Sequence, residues 1–465
     1  MKTVTALLYI LFVSILFLAC KKDSFITSAD ASISLSADTL KYDTVFTTAG
    51  SVTQSFKIIN DNNQKLRLSS VKLMGGAGSK YKMNVDGIAT TEANNVEIEA
   101  NDSVYVFVQV NVDPNANDLP FIIRDSIQVS YNGNNELVQL EAWGQNAHFF
   151  RNKEVLADEI WTNDLPYVIQ GYLYVDVNQT LAIEKGCRIY VHADAPIIID
   201  GSLKVNGEKD TIDRVYFRGD RLDEPYRDFP AAWPGIYFRN DSKDNVLNYA
   251  VIKNSFQSVA AEGPSVNANP KVTLNQCVID NSYDAGIIAL NSSITATNCL
   301  ISNCGKNITI GKGGDYQFIH CTVVSYSNNY IQHKDPVLTI SDEDGITVNR
   351  LQALFHNCIF WGENDLVENE VLVEKTGSNG TITFDQVLWR VKTAPLNSTI
   401  IPSQPFNNEQ PLFDSIDVIK NYYNFRLQAG SPAIDTGNNA GIIIDLDGNT
   451  RPIGIKPDLG CFEKQ

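Results

Sequence analysis

The sequence predicts an all-β chain: an N-terminal Ig-like β-sandwich followed by a right-handed parallel β-helix with a C-terminal cap. Three observations predict this fold class. Residues 31–146 alternate apolar and polar side chains in short runs, and residues 165–400 hold brief apolar runs with no helical stretch between them. One five-residue pattern also recurs several times in the second region. The 19 Tyr and 21 Phe, with many Val, Ile and Thr, agree with a strand-rich chain.

The composition sets the broad class of protein. The 465 residues include 37 Lys and Arg against 54 Asp and Glu, which gives a formal charge of −17. A protein that binds nucleic acid needs a basic face, so this charge argues against a nucleic-acid partner. With 43% hydrophobic and 20% charged residues the chain is globular, and its length suggests two or three domains.

The first residues predict export from the cytoplasm. A lysine at position 2 precedes an apolar stretch at 6–19, which is too short to span a bilayer comfortably. Residues 1–19 are therefore predicted to be a signal peptide.

Residues 17–20, Phe-Leu-Ala-Cys, resemble a bacterial lipobox, although Phe17 departs from the usual Leu or Val. The resemblance implies that Cys20 carries a lipid, that residues 20–30 form a tether and that the N-terminal lipid anchors the protein in a membrane. An ordinary signal peptide followed by a chance cysteine is the alternative. The Lys-Asp pair at 22–23 resembles part of the export tag of Bacteroidetes surface lipoproteins. A lipid-anchored outer-membrane protein is expected, surface-exposed rather than periplasmic, although the tag does not decide the face.

Residues 31–146 predict the β-sandwich. Every second residue from Val104 to Val112 is valine, and clusters of Asn, Asp and Gly separate this run from similar ones. Seven or eight strands in about 110 residues suggest an Ig-like sandwich. The stretch resembles the Ig-like modules that precede larger domains in bacterial surface lipoproteins. The following residues, 147–164, are rich in aromatics and are predicted to be an ordered junction packed between two domains.

Residues 165–400 predict the β-helix. The recurring pattern has cysteine at its third position in four strings: Cys277, Cys299, Cys321 and Cys358. A repeat near 22 residues with inserted loops suits one coil of such a helix. Equivalent Cβ atoms of stacked coils lie roughly 4.8 Å apart, which is too far for a disulfide, and a ladder does not converge on one metal ion. These cysteines are therefore predicted to be buried free thiols.

This region resembles the right-handed parallel β-helix repeat proteins, a superfamily of pectate and alginate lyases and many noncatalytic surface proteins. Residues 401–465 strengthen the resemblance, because Phe425–Gly437, Asp445–Arg451 and Pro457–Glu463 look like the closing segment of many bacterial β-helix proteins. The resemblance implies a last coil and a cap. A cap is also physically required, since an open coil would expose unpaired strand edges and core.

Asp445, Asp447 and Asn449 are candidate ligands of Ca²⁺, the one cofactor that the sequence suggests. Alternating oxygen side chains around a glycine turn are typical of calcium loops. The later bidentate Glu of such loops has no counterpart here, so a hydrogen-bonded turn of the cap is the alternative.

The most charge-dense loop runs from residue 214 to residue 228. A uronic-acid lyase needs a base near the sugar carbon and a cation that neutralises the carboxylate. The candidate catalytic residues in this loop are Arg218, Arg221, Tyr226 and Arg227. Tyr226 and the nearby Trp233 are also candidate ligand contacts. Local pairing of the charges is the alternative, because mixed-sign loops are usually solvated and self-paired.

The function predicted from these features is that of a noncatalytic cell-envelope lipoprotein whose β-helix binds a glycan or a surface protein. The alternative is a calcium-assisted polysaccharide lyase or glycoside hydrolase that acts on an extracellular polysaccharide. A structural stalk without a ligand pocket is a third class. Since the chain is strongly acidic, neutral glycans are favoured unless a local basic site is exposed.

Overall fold

The computed structural model describes residues 24–46, 51–112, 121–343, 345, 347–363, 366–402 and 406–465. The predicted signal peptide and Cys20 lie outside these residues. Within them the regular secondary structure is almost all strand, apart from two short 3-10 turns at Gly76–Gly78 and Tyr226–Asp228. A helix of the length and apolarity needed to cross a bilayer is absent from this described part. The chain divides into two units, residues 1–146 and 147–465.

The first unit is a β-sandwich of two five-stranded sheets. One sheet has the strand order β1-β3-β8-β5-β6 and the other β2-β10-β9-β4-β7, and neighbours are antiparallel except for the parallel pair β2 and β10. Its strands are β1 (Ile33–Leu35), β2 (Thr39–Phe46), β3 (Gln54–Asn60), β4 (Leu66–Leu73), β5 (Tyr81–Val85), β6 (Ile88–Thr90), β7 (Glu92–Ile98), β8 (Ser103–Val110), β9 (Phe121–Tyr131) and β10 (Asn134–Gln145). The valines of β8 are buried and the residues between them point outward, which confirms the predicted alternation.

The second unit is a parallel β-helix, which confirms the predicted fold class. Each strand pairs in parallel with its equivalent in the coil above and below, for example β18 with β21 and β21 with β24. The first strands are β11 (His148–Val155), β12 (Glu159–Trp161), β13 (Tyr167–Val175), β14 (Thr180–Glu184), β15 (Arg188–Val191), β16 (Ile197–Ile199), β17 (Ser202–Asn206), β18 (Val215–Gly219), β19 (Trp233–Phe238), β20 (Asn245–Asn248), β21 (Ala250–Lys253), β22 (Ser255–Glu262) and β23 (Val272–Asn275). The remaining strands are β24 (Val278–Asp280), β25 (Ala285–Thr297), β26 (Leu300–Ser302), β27 (Lys306–Ile319), β28 (Thr322–Ser325), β29 (Leu338–Ser341), β30 (Leu351–His356), β31 (Ile359–Gly362), β32 (Val371–Glu374), β33 (Ile382–Asp385), β34 (Leu388–Trp389), β35 (Thr399–Ile401) and β36 (Phe406–Asn407).

The recurring five-residue pattern is a corner of the coil. The residue before each ladder cysteine has a positive φ, between 50° and 54°, at Gln276, Asn298, His320 and Asn357. Such a left-handed residue turns the chain sharply between two strands. The cysteine that follows points into the core. All seven cysteines that the structure describes are buried and free, in agreement with the ladder prediction.

The predicted junction at 147–164 is instead the first coil of the β-helix. Strand β11 pairs in parallel with β13, and β12 pairs in parallel with β14. Trp161 is buried in this coil, where its ring stacks on Tyr167 at 4.4 Å, and the partly buried Phe150 lies 5.4 Å from Trp161. Their burial in a coil explains an aromatic content that a linker would not need.

The C-terminal segment starts on the last coil and then follows one flank of the helix. Asn408 N donates to Trp389 O at 2.9 Å, and a hairpin of β37 (Phe413–Asp417) and β38 (Tyr422–Leu427) follows. Farther along, Asn357 Nδ2 donates to Asn438 O at 2.7 Å and Asn298 Nδ2 donates to Ile444 O at 2.7 Å. The segment predicted to be a cap therefore covers the side of several coils.

Candidate functional site

A cleft of about 830 Å³ lies between the outer face of the last coils and the β37–β38 hairpin. Its walls combine aromatic surface, carboxylates, cations and side-chain amides. They include Tyr326, Trp361, Glu363, Glu368, Arg390, Lys392, Asn408, Gln410, Phe413 and Gln428. We refer to this site as the hairpin cleft.

Strand β31 positions the aromatic wall of the hairpin cleft. Its inward residues, such as Phe360, fill the core, so the next residue, Trp361, points outward. Trp361 packs with Phe413 of the hairpin in an apolar cluster outside the coils, and Tyr326 packs against this cluster. The hairpin thus makes a cleft from a face that would otherwise be flat.

A buried charged cluster holds one wall of the cleft. Glu370 Oε1 accepts hydrogen bonds from His333 Nε2 at 3.0 Å and from Arg390 Nη2 at 2.7 Å, and the Glu370 side chain is 0% exposed. Arg390 Nη2 also donates to Val367 O at 2.6 Å. A side chain at Gly362 would collide with both Glu370 and His333. The cluster and the glycine together fix the Arg390 guanidinium at the cleft wall.

The two carboxylates of the cleft are already engaged. Glu363 Oε1 accepts from Ser327 N at 3.1 Å and from the Ser327 hydroxyl, and Glu368 Oε1 pairs with Lys392 Nζ at 2.9 Å. Burial, with a smaller contribution from Glu363, raises the pKa of Tyr326 to about 12. The Tyr326 phenol therefore stays neutral at ordinary pH, and its ring packs beside Tyr423 and Phe425 at the edge of the cleft.

The cleft suits a neutral ligand rich in hydroxyl groups. Its two carboxylates and two cations balance each other, so no net charge favours an ion. Aromatic walls with a few placed hydrogen-bonding groups are typical of small-molecule sites of this volume. Within the described residues, no group of three or more His, Cys, Asp or Glu could hold a metal ion.

The candidate catalytic loop lies elsewhere on the coils and pairs with itself. The Arg221 guanidinium pairs with Asp223 at 2.8 Å and lies 4.0 Å from the Tyr226 ring, which is exposed. Arg227 pairs with Glu224 at 2.6 Å, and Arg218 lies 5.1 Å from the Tyr190 ring. Strand β18, which carries Arg218, is five coils from β31, about 24 Å away at ~4.8 Å per coil. The structure therefore does not bring these residues to the hairpin cleft.

The prediction that Trp233 contacts a ligand is wrong. Its side chain is 0% exposed in the core of the β-helix, and its Nε1 donates to Lys253 O at 2.8 Å. Trp233 begins strand β19 directly after the charged loop, which made it look like part of the loop. A fully buried ring has no surface to offer a ligand.

The candidate calcium ligands take part in a hydrogen-bonded turn. Asp445 Oδ1 accepts from Asp447 N at 2.9 Å and Asn449 N at 2.8 Å, and Asp445 Oδ2 accepts from Glu463 N at 3.0 Å. Asp447 pairs with Arg426 at 2.7 Å. A calcium ion here would have to displace these donors.

Sequence reasoning missed the hairpin cleft. Its residues come from separate segments between 326 and 428, and none belongs to a compact motif. One signal was available, since Trp361 stands directly after the last cysteine string, at an outward position of the coil. The approach of the hairpin had no comparable signal in the sequence.

Comparisons with known proteins add little to this geometry. No family model matches the chain, and no curated protein matches it. A family 123 glycoside hydrolase from Clostridium perfringens that hydrolyses glycolipid glycans is 13% identical, with a TM-score of 0.18, over 24% of this chain and 25% of that chain. The Salmonella enterica SafA pilin in complex with the SafB chaperone is 12% identical, with a TM-score of 0.17, over 26% of this chain and 57% of that chain. The chain thus spans about a quarter of the first structure and little more than half of the second.

Proposed function

We propose that this protein is a noncatalytic cell-envelope lipoprotein that binds a glycan in the hairpin cleft of its β-helix. The observation that carries the proposal is the cleft itself, which combines Tyr326 and the largely buried Trp361, 7% exposed, with paired polar groups. Sugar rings present apolar C–H faces and many hydroxyl groups, which aromatic rings and side-chain amides complement. In this proposal the sandwich is an Ig-like module between the anchor and the β-helix.

The shape of the site favours a glycan over a surface protein. The cleft is concave and about 830 Å³ in volume, the size of a small-molecule site. A stable protein interface buries roughly 800 Å² on each partner over a broad surface. The charges also favour binding over cleavage, because Glu363 and Glu368 are held by Ser327 and Lys392.

The anchoring part of the proposal rests on the sequence around Cys20. A lipid on Cys20 of a Bacteroidetes-type lipoprotein would hold the chain in the outer membrane, facing outward. Labelled fatty acid should enter the wild-type protein and not a Cys20→Ser variant in the native host. Protease added to intact cells should remove the protein, whereas protection from the protease would indicate the periplasmic face.

The cleft is tested by screening the full chain against a glycan array and measuring the hits by calorimetry. Lys392→Ala and Gln410→Ala should each weaken binding of a neutral glycan about tenfold, because each removes polar contacts from the wall. Lys185→Ala is the matched control, since Lys185 is another exposed lysine paired with a glutamate, Glu208, at 3.1 Å.

Two outcomes would contradict the proposal. One is glycan binding that the cleft variants leave unchanged. The other is release of unsaturated or shortened sugars during incubation with polysaccharides, with or without calcium, which would support the lyase or hydrolase alternative. Loss of that turnover in an Arg218→Ala variant would place the chemistry in the charged loop.

A further inference from the structure

Tyr105 and Phe107 form an exposed aromatic pair on the sandwich unit. Both lie in β8, the middle strand of its sheet, and their rings are 5.7 Å apart with planes 12° from parallel. Tyr105 is 43% exposed and Phe107 is 41% exposed. Neighbouring aromatic rings at the centre of an outer sheet face leave apolar surface in water, which the fold of the sandwich does not require.

Polar side chains surround this pair in register. Lys57 of β3 stands opposite Tyr105, and its Nζ lies 4.8 Å from the Tyr105 ring centroid. Asn84 of β5 stands opposite Phe107, and Lys82 stands opposite Gln109. Hydrogen-bond donors therefore border the aromatic surface on both sides.

The charge of this face is opposite to that of the chain. The outward positions of β3, β8 and β5, all of which the structure describes, carry Lys57 and Lys82 and no carboxylate. Asp102 lies in a turn at the end of a strand, and Asp86 lies in the turn after β5, where its backbone N–H donates to Tyr105 O at 3.1 Å. On a chain with a formal charge of −17, a lysine-bearing aromatic face is a local site for an anion.

We propose that this face of the sandwich unit binds a carboxylated glycan. The C–H faces of the sugar rings would lie against Tyr105 and Phe107, and the lysines would pair with sugar carboxylates. Gln109, whose amide nitrogen donates to Thr53 Oγ1 at 2.6 Å, would accept from a sugar hydroxyl through its oxygen. The site is independent of the hairpin cleft, which belongs to the other unit and suits a neutral ligand.

The test uses the full chain and polygalacturonate as the acidic probe, with neutral dextran as the comparison. Affinity electrophoresis and calorimetry should show polygalacturonate binding that weakens as salt increases, because charge pairs are screened. Phe107→Ala should lower the affinity roughly tenfold, as expected for the loss of one stacked ring. Lys57→Gln combined with Lys82→Gln should lower the affinity and flatten the salt dependence.

Two kinds of control separate this site from others. Trp143→Ala removes an exposed aromatic from β10 in the opposite sheet of the same unit and should leave binding unchanged. Lys392→Ala and Gln410→Ala, which alter the hairpin cleft, should also leave polygalacturonate binding unchanged. A failure of the cleft proposal can therefore be distinguished from a failure of this one.

Three results would overturn the proposal. They are no binding of polygalacturonate at low salt, equal binding of dextran at this face, and unchanged affinity in the folded Phe107→Ala variant. Single-stranded DNA that binds the same face as tightly would also overturn it, because stacking and lysines serve nucleic acids as well.

Discussion

At the scale of single residues, the charged side chains of the C-terminal segment bind to one another and to the backbone of the same segment. Arg451 Nε pairs with Glu463 Oε1 at 3.2 Å, both side chains being buried, and the Arg451 guanidinium also donates to Gly460 O at 3.1 Å. Asp458 accepts from Asp435 N and Lys464 N, at 2.8 and 2.7 Å. These hydrogen bonds and this ion pair give each of the buried charged groups named here a partner. Asp458 and Glu463 are thus held by groups of the same C-terminal segment.

His320 lies where this segment attaches to the coils, and we expect it to make the attachment sensitive to acid. The ring is fully buried, Nε2 accepts from Asn357 Nδ2 at 2.9 Å, and Arg451 contacts the other ring nitrogen. Burial, then the charges of Arg451 and His356, lower the pKa of His320 to about 2. In the unfolded chain the ring binds a proton near its usual pKa of ~6.5, so the free energy of unfolding should fall as pH drops from ~6.5 towards 2.

Urea unfolding of the full chain between pH 7 and 4 measures this effect. One proton contributes at most about 1.4 kcal/mol per pH unit, so the wild-type slope should exceed that of His320→Gln by up to this amount. Glutamine keeps an oxygen that can accept from Asn357 and does not titrate. Equal slopes for the two proteins would show that His320 is not the group responsible.

At the scale of elements, the sequence predicted what is periodic. Alternating valines identified β8, and a repeated corner with cysteine identified the coils, because both patterns follow from backbone geometry. The first coil was not predicted, because its corner lacks the recurring five-residue pattern with cysteine and its aromatic residues are typical of an interface. Trp233 was misplaced for a related reason, as a strand that starts beside a long loop has no mark at its boundary.

The thiol ladder makes a prediction at this scale. Burial raises the pKa values of Cys277, Cys299 and Cys321 well above the usual range, so these three side chains stay protonated thiols in the folded coils. Alkylating reagent should leave the seven described cysteines unmodified in native protein. It should modify all seven after unfolding, without any reductant.

Mass spectrometry of the alkylated peptides reads this result directly. Peptides that become reactive only after reduction would reveal disulfides and contradict a ladder of free thiols. Rapid labelling of native protein would show instead that the coils open easily.

At the scale of the whole molecule, the sequence predicted two kinds of β architecture and not the site between the coils and their C-terminal hairpin. The hairpin cleft needs Trp361 on a coil and Phe413 on a segment that returns to it, and no local pattern records that return. The aromatic face of β8 could also be predicted from the sequence only in part. Alternation placed Tyr105 and Phe107 on one side of the strand, but the register with Lys57 required the sheet.

The two units have separate cores, and this separation predicts how the chain unfolds. Phe56 belongs to the sandwich core, whereas Phe355 lies between Phe318 and Phe384 in the β-helix core, at 5.4 and 5.0 Å. Calorimetry of the full chain should therefore show two transitions. Phe56→Ala should lower the transition temperature of the sandwich only, and Phe355→Ala that of the β-helix only. Each substitution should reduce the free energy of unfolding of its own unit by about 3–5 kcal/mol, because it removes a buried ring from one core. A single transition that both substitutions lower equally would mean that the two cores unfold as one cooperative unit.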